Sequence, residues 1–322
     1  MTELTEITVV GDDDTGLVAG VTGLLFERGC NIEDVDQAVR DGLFRMTTRV
    51  DTSEMVCKPE TLRADLRVLG ENLDVEVQVR FPVDRDTERL GVLVTKESHC
   101  LRALLAAEAA GEVDAEVGVV VGNHDDLEPV ADSHDVPFRN VGDEDGVVDE
   151  SALLAVLDAH DVDLVVLARF MRILGPEVVF RYEDRIINVH PSLLPAFPGA
   201  AAYRQAREAG VRIGGVTAHY VTTDLDQGPI ITQRAFDVAP DADVDDIKAR
   251  GQPLEAEALV EAVRLHLNDA VSVHRGRTRL RSDADDAAYQ LGLSEEARAS
   301  NADEPVDRRS EALGDGRRHQ SL

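Results

Sequence analysis

Leu90-Gly91-Val92-Leu93-Val94 is a stretch of five residues without a charge or a hydroxyl. A run that is apolar at every position suits a strand covered on both faces, whereas alternation marks a half-buried one. Two runs of the same kind follow, Val-Gly-Val-Val-Val at 117–121 and Leu-Val-Val-Leu at 164–167. The stretches 101–110, 127–133 and 153–160 read as helices. Strands alternating with helices define βαβ units, hence an α/β fold with a Rossmann-like, mostly parallel sheet. Open sheets of this kind bind their ligands beyond the carboxyl ends of the strands, so the chemistry is expected in residues that follow strands.

Upstream of a polar linker, Pro-Val-Asp-Arg-Asp-Thr at 82–87, the pattern is different. Residues 7–10 read as a short strand, and Val18, Val21, Leu24, Leu25 and Phe26 recur at helical spacing until Gly29 stops them. A strand is expected over 32–39, Asp41-Gly42 is a hairpin signal, and Phe44, Met46, Thr48 and Val50 alternate. Leu62, Leu66 and Leu69 mark a second helix, and Val75, Val77 and Val79 a last strand. The order β-α-β-β-α-β is that of a ferredoxin-like unit. The expected division is therefore 1–82, 88–281, and a polar acidic tail at 282–322 whose last stretch, 300–322, has a disordered composition.

Bulk properties bound the function. A chain of 322 residues with 43% hydrophobic content suits two globular domains and a tail. Its net charge is −30, and of its 33 basic residues only Lys58, Lys96 and Lys248 are lysine. That charge opposes phosphate backbones and excludes nucleic acid as a partner. The acids are spread along the whole chain, which reads as a solvated surface that keeps a protein soluble in concentrated salt. No run of about 18 uncharged apolar residues suggests a membrane span, and the start lacks the pattern of a signal peptide, so the expected location is cytoplasmic. Cys30, Cys57 and Cys100 are too widely spaced for a disulfide framework or a Cys-x-x-Cys metal site.

The densest chemistry begins at Asn188-Val189-His190-Pro191-Ser192-Leu193-Leu194-Pro195, after a strand ending at Ile187. In an extended segment Asn188 and His190 share a side, and the prolines stiffen the exit. One amide and one imidazole aimed together suit a carbonyl whose oxygen turns negative during attack. Asp226, in Leu225-Asp226-Gln227-Gly228-Pro229, is the candidate carboxylate to hold the imidazole and position a water. His219 sits in an apolar strand, where a histidine is ordinarily a satisfied part of the core. The histidines lack zinc spacing such as His-Glu-x-x-His, and no metal is expected.

Two resemblances follow from these residues. Asp12-Asp13-Asp14-Thr15-Gly16-Leu17-Val18 with Gly29-Cys30-Asn31-Ile32 resembles an ACT domain. The resemblance implies an amino-acid effector site at Asp13, Asp14, Thr15, Gly16, Asn31 and Ile32, or a unit that only pairs copies into a homo-oligomer; nothing in the residues favours one. Asn188-x-His190-Pro-Ser-Leu-Leu-Pro with Leu225-Asp226-x-Gly228-Pro229 resembles the folate-dependent formyl transferases over residues 90–274. That likeness includes Phe170-Met171-Arg172-Ile173-Leu174. It implies Asn188, His190 and Asp226 as a catalytic trio, and Met171, Arg172, Leu174 and Val221 near the pterin, with Thr217 and His219 as further substrate-site candidates. No resident cofactor is implied, since 10-formyltetrahydrofolate is the substrate.

Within that family the acceptor varies. Transformylases that act on glycinamide ribonucleotide carry a Gly-rich loop after the first strand, whose backbone N–H groups suit a phosphate. Here the loop is Thr95-Lys96-Glu97-Ser98-His99-Cys100-Leu101, without glycine and with a carboxylate that would repel phosphate. This loop, Gly122-Asn123-His124-Asp125, 195–197, 200–206 and the ACT-like first domain are similar to the deformylase branch, which passes the formyl group to water, giving tetrahydrofolate and formate for purine synthesis. The run His190-Pro191-Ser192-Leu193-Leu194-Pro195 is closer to the transformylases, since deformylases usually have His-His-Ser-Phe-Leu-Pro there. The alternatives are a glycinamide ribonucleotide formyltransferase and a non-catalytic amino-acid sensor.

Overall fold

A computed structural model describes residues 4–40, 42–81, 87–274 and 276–280. The linker residues 82–86 and the expected tail at 282–322 lie outside the described residues. The first elements are β1 (Thr5–Asp12), α1 (Leu17–Glu27), β2 (Asn31–Arg40), β3 (Leu43–Asp51), α2 (Pro59–Leu73) and β4 (Val75–Arg80). They form an antiparallel sheet in the order β2-β3-β1-β4, the ferredoxin-like arrangement the alternation predicts. Ile7, Val9, Phe44, Met46 and Val50 are buried on one face, beneath Leu17, Val21 and Leu25 of α1 and Leu62 and Leu66 of α2. Pro59 opens α2 at a position where its missing N–H costs nothing, and Asp74 closes it in the left-handed conformation.

The following elements are β5 (Glu88–Val94), α3 (His99–Ala109), β6 (Ala115–Gly122), α4 (Glu128–Asp132), β7 (Phe138–Asn140), α5 (Glu150–Ala159), β8 (Leu164–Leu167), α6 (Pro176–Arg181) and β9 (Ile186–His190). Then come α7 (Ala202–Glu208), β10 (Ile213–Tyr220), β11 (Ile230–Asp237), α8 (Val244–Leu267), β12 (Val271–His274) and β13 (Arg277–Leu280). Seven strands share a sheet in the order β11-β10-β9-β8-β5-β6-β7. From β9 to β7 the pairing is parallel, while β10 and β11 run antiparallel. The three apolar runs are neighbours, β8, β5 and β6, and all four residues of β8 are buried.

The winding reverses at β5: the chain moves outward through β6 and β7, then returns to build β8 and β9 on the other side. The loops leaving β5 and β8 therefore face each other across a topological switch point. The longest helix, α8, starts in a capping box in which Asp243 accepts from the Asp246 amide and Asp246 accepts from the Asp243 amide.

Ion pairs join the first sheet to α6 and the loop after it. Arg181 meets Glu76 at 2.8 Å and also pairs with Asp158, and Arg185 meets Glu6 at 3.2 Å. Arg45, buried in β3, pairs with Glu183 and, at 2.5 Å, with Asp36. Burial pushes the Glu183 carboxyl up to about 7 in spite of Arg45.

Candidate active site

The strand expected to end at Ile187 continues to His190, because β10 pairs with it along its whole second half, Asn188 opposite His219 and His190 opposite Thr217. Asn188 and His190 thus share one side of a strand fixed on both edges, by β8 and by β10. The His190 ring donates from Nε2 to the carbonyl of Phe197 at 2.8 Å, and its Nδ1 lies 3.3 Å from Oδ2 of Asp226. Asp226 arrives from the turn between β10 and β11 with a left-handed backbone, φ 54°. Its Oδ2 also accepts the Gly199 amide at 2.7 Å. The loop after β9 is therefore tied to both members of the pair.

His219 donates from Nδ1 to the carbonyl of Tyr220 at 2.8 Å, which leaves Nε2 as an acceptor. Burial holds this imidazole below its ordinary value, consistent with a neutral ring. Nε2 faces the Asn188 amide nitrogen at 3.2 Å, so one N–H of Asn188 is held and the other is free to reach a ligand. Gly228 makes the geometry possible: a Cβ there would lie 1.8 Å from the Tyr220 carbonyl oxygen.

The trio opens onto a cleft of about 510 Å³ beyond the carboxyl ends of β8 and β9. Asn188, His190 and Asp226 line it, together with the expected Met171, Arg172, Leu174, Val221 and His219. Met171 is 53% exposed, an apolar side chain free to cover a ligand, while its amide donates to Thr95 Oγ1 at 2.9 Å. Arg172 donates to the carbonyl of Asp145 at 2.9 Å. Thr217 is placed differently. It is fully buried, and its hydroxyl donates to the Ser192 carbonyl and accepts from the Leu194 amide and Gln233, so it shapes the exit loop of β9 and does not line the cleft.

In the first domain, Asp13, Asp14, Thr15 and Gly16 form the exposed loop between β1 and α1, with the Thr15 amide bonded to Asp14 Oδ1 at 2.6 Å. Asn31 and Ile32 begin β2; Asn31 is bonded to Glu33, and Ile32 packs on the core. The Asp13 amide donates to the Gly42 carbonyl at 2.9 Å, and Arg40 reaches Thr223 Oγ1 at 2.7 Å and Asp224 at 3.2 Å. The tip of the β2–β3 hairpin thus connects the loop at 13–16 to the turn that carries Asp226.

Sequence reasoning singles out Glu97 but misses the cluster it joins, of which Arg169, Lys248 and Tyr203 line the same cleft. Arg169, on the loop after β8, meets Glu97 at 2.9 Å and Glu255 of α8 at 3.2 Å. Glu255 has no exposed surface; it also accepts from the Tyr203 hydroxyl and faces His99 Nε2 at 3.1 Å. Lys248 donates to Glu97 at 2.5 Å. Burial alone would raise the Glu97 carboxyl, but Lys248 and Arg169 outweigh it and hold the group at about 2. His99, Cys100 and Glu255 put three metal-ligating atoms within 4.8 Å of one another. The chemistry of the set does not fit a metal: Glu255 is taken up by Arg169, Tyr203 and His99, and burial drives the Cys100 thiol toward its protonated form. No described helix is long and apolar enough to cross a membrane.

The fold and the trio define an enzyme-like formyl transferase domain joined to an ACT domain. Residues 88–263 match the family model described as "Formyl transferase", and residues 5–80 match "ACT domain". A formyltetrahydrofolate deformylase of Bacillus subtilis is 36% identical over 271 residues, covering 83% of this chain and 90% of that protein. The crystal structure of a formyltetrahydrofolate deformylase from Pseudomonas syringae pv. tomato superposes with a TM-score of 0.59 at 29% identity, over 87% of this chain and 95% of that one. A glycinamide ribonucleotide transformylase from Symbiobacterium toebii reaches a TM-score of 0.58 at 34% identity, but over only 62% of this chain and 97% of its own. The chain belongs to the formyltetrahydrofolate deformylase family.

Proposed function

We propose that this chain hydrolyses 10-formyltetrahydrofolate to tetrahydrofolate and formate, with 1–82 as the regulatory unit and 88–281 as the catalytic one. The observation that carries the reading is the convergence of Asn188, His190 and Asp226 on one cleft, His190 Nδ1 and Asp226 Oδ2 being 3.3 Å apart. Water is favoured over a ribonucleotide as acceptor because the deformylase relatives match both domains and the transformylase only one.

In the mechanism we infer, the pterin lies against Met171, Leu174 and Val221 and the formyl carbon lies over the end of β9. Asp226 orients a water and holds His190. The water oxygen bonds to the formyl carbon as the carbonyl oxygen becomes negative. The free N–H of Asn188 stabilises that oxyanion. His190, whose Nε2–H is spent on Phe197, works through Nδ1 on the side of Asp226. The C–N bond then breaks, the leaving nitrogen takes a proton through His190 or water, and formic acid departs and ionises. Formate made in this way can feed a formate-dependent step of purine synthesis. An amino acid is the effector class, and a second copy the partner, that we assign to the ACT domain; the reaction would run in the cytoplasm.

The deciding experiment is formate release from 10-formyltetrahydrofolate in concentrated salt, with and without glycinamide ribonucleotide. Release without the ribonucleotide supports the hydrolase. Formyl transfer only in its presence would make the chain a transferase.

A further inference from the structure

The cations of the cleft carry information that the trio does not. Arg169 and Lys248 both line the cavity that holds Asn188, His190 and Asp226. Arg169 leaves β8 and Glu97 leaves β5, so the two face each other at the topological switch point, the place where open α/β sheets ordinarily hold a ligand. Glu97 also stands immediately before Ser98, the N-cap of α3, where unpaired amides and the helix dipole favour an anion. An anion-binding corner is therefore built, and the chain fills it with its own carboxylates. Both cations bond to Glu97, and Arg169 to Glu255 as well.

We propose that Glu97 is a specificity residue that sets the acceptor: by holding Lys248 and Arg169 it denies both cations to a phosphate-bearing acceptor and leaves the cleft to water. The inference rests on the hydrolase reading and gives it a physical cause. A phosphate entering the corner would have to displace a carboxylate already bonded to both cations, and would meet that carboxylate's charge as it did so. Glu255 does not perform the same task, because it is fully buried and engaged by Tyr203 and His99 in addition to Arg169. Glu97 and Lys248 are the partly exposed members, 29% and 39%, so they are the ones a solute meets.

The test is Glu97→Gln, titrated with inorganic phosphate at constant ionic strength. Glutamine keeps the shape and removes the charge. Phosphate should then inhibit formate release with an inhibition constant at least about tenfold lower than in the wild type, the value of one charge-assisted hydrogen bond. Glu97→Gln combined with Lys248→Met should lose most of that gain. If Glu97→Gln does not fold, Glu97→Asp, too short to reach Lys248 and Arg169 together, should show the same change in smaller measure. A Glu97→Gln enzyme that releases formate and is inhibited by phosphate within about twofold of the wild-type value overturns the proposal and leaves the hydrolase standing. A wild type that releases no formate overturns the hydrolase reading instead. Phosphate affinity of the two proteins, read by calorimetry, then still decides whether Glu97 guards the corner.

Discussion

Replacing Gly228 with alanine should cut activity steeply through a displacement of the backbone, although Gly228 does not line the cleft. A Cβ at this position would lie 1.8 Å from the carbonyl oxygen of Tyr220, whereas ordinary contact begins at 3.4 Å, so the two strands of backbone must part by about 1.6 Å. Neither side can yield without cost to the site. The Tyr220 carbonyl is the acceptor that fixes the His219 ring, which in turn orients Asn188. Two residues before Gly228, Asp226 faces His190 at 3.3 Å. A misplacement of about 1 Å in a catalytic constellation costs about 100-fold in rate, so a loss of about 1,000-fold in kcat is expected. Overpacking costs about 1–3 kcal/mol, which a domain of this size survives. The assay is formate release beside thermal unfolding and circular dichroism. A folded Gly228→Ala protein with turnover within about tenfold of the wild type would refute the claim that this glycine sets the geometry of the trio.

Asp226→Asn keeps an oxygen for the Gly199 amide while removing the charge beside His190, so kcat should fall by about 100- to 10,000-fold with little change in melting temperature; near-normal turnover would remove Asp226 from the mechanism. His266 is held down to about 4, first by burial and then by Arg185. An unfolded histidine takes its proton near 6.5, so in the window between 6.5 and 4 the unfolded state binds the extra proton and stability is lost as the pH falls. Urea unfolding at pH 7 and pH 5 should show the wild type losing about 2 kcal/mol more than His266→Gln; equal losses would contradict it. Arg40→Ala removes an exposed contact worth under about 1 kcal/mol, so turnover should drop by no more than about fivefold without a matching loss of melting temperature. A fall in stability larger than the fall in rate would show that Arg40 braces the fold and has no part in placing the Asp226 turn.

Much of this architecture was legible because its determinants are local. The apolar runs at 90–94, 117–121 and 164–167 are strands in the middle of the sheet, and the alternation at 44–50 gives a face of the first one. Asn188 and His190 could be paired from spacing alone, since a strand repeats every two residues. The end of β9 was misjudged because its length is set by β10, a partner 31 residues away at Asn188 and His219. The cluster at Arg169 was hidden for the same reason: His99 and Glu255 are 156 residues apart and meet only after folding. One signal existed. Glu255 stands on the stripe of α8 that carries the buried Ala258, Leu259, Ala262 and Val263, a place for an apolar side chain, but in a chain with 63 acidic residues a single glutamate does not stand out. The resemblance puts Thr217 at the substrate, yet its hydroxyl is taken up by the Ser192 carbonyl, the Leu194 amide and Gln233 of β11.

The reversal of winding at β5 also separates the two clusters of the cleft by the parts of the chain that supply them. Asn188, His190 and Asp226 sit on β9 and on the turn after β10, on one side of the switch point. Glu97, Arg169, Lys248 and Glu255 sit on the loops after β5 and β8 and on α8. The trio and the Glu97 corner share a cleft but no strand or loop, so, on the proposal above, a lineage could change the acceptor it admits by editing the corner while the hydrogen-bond ladder that holds Asn188 and His190 is inherited unchanged.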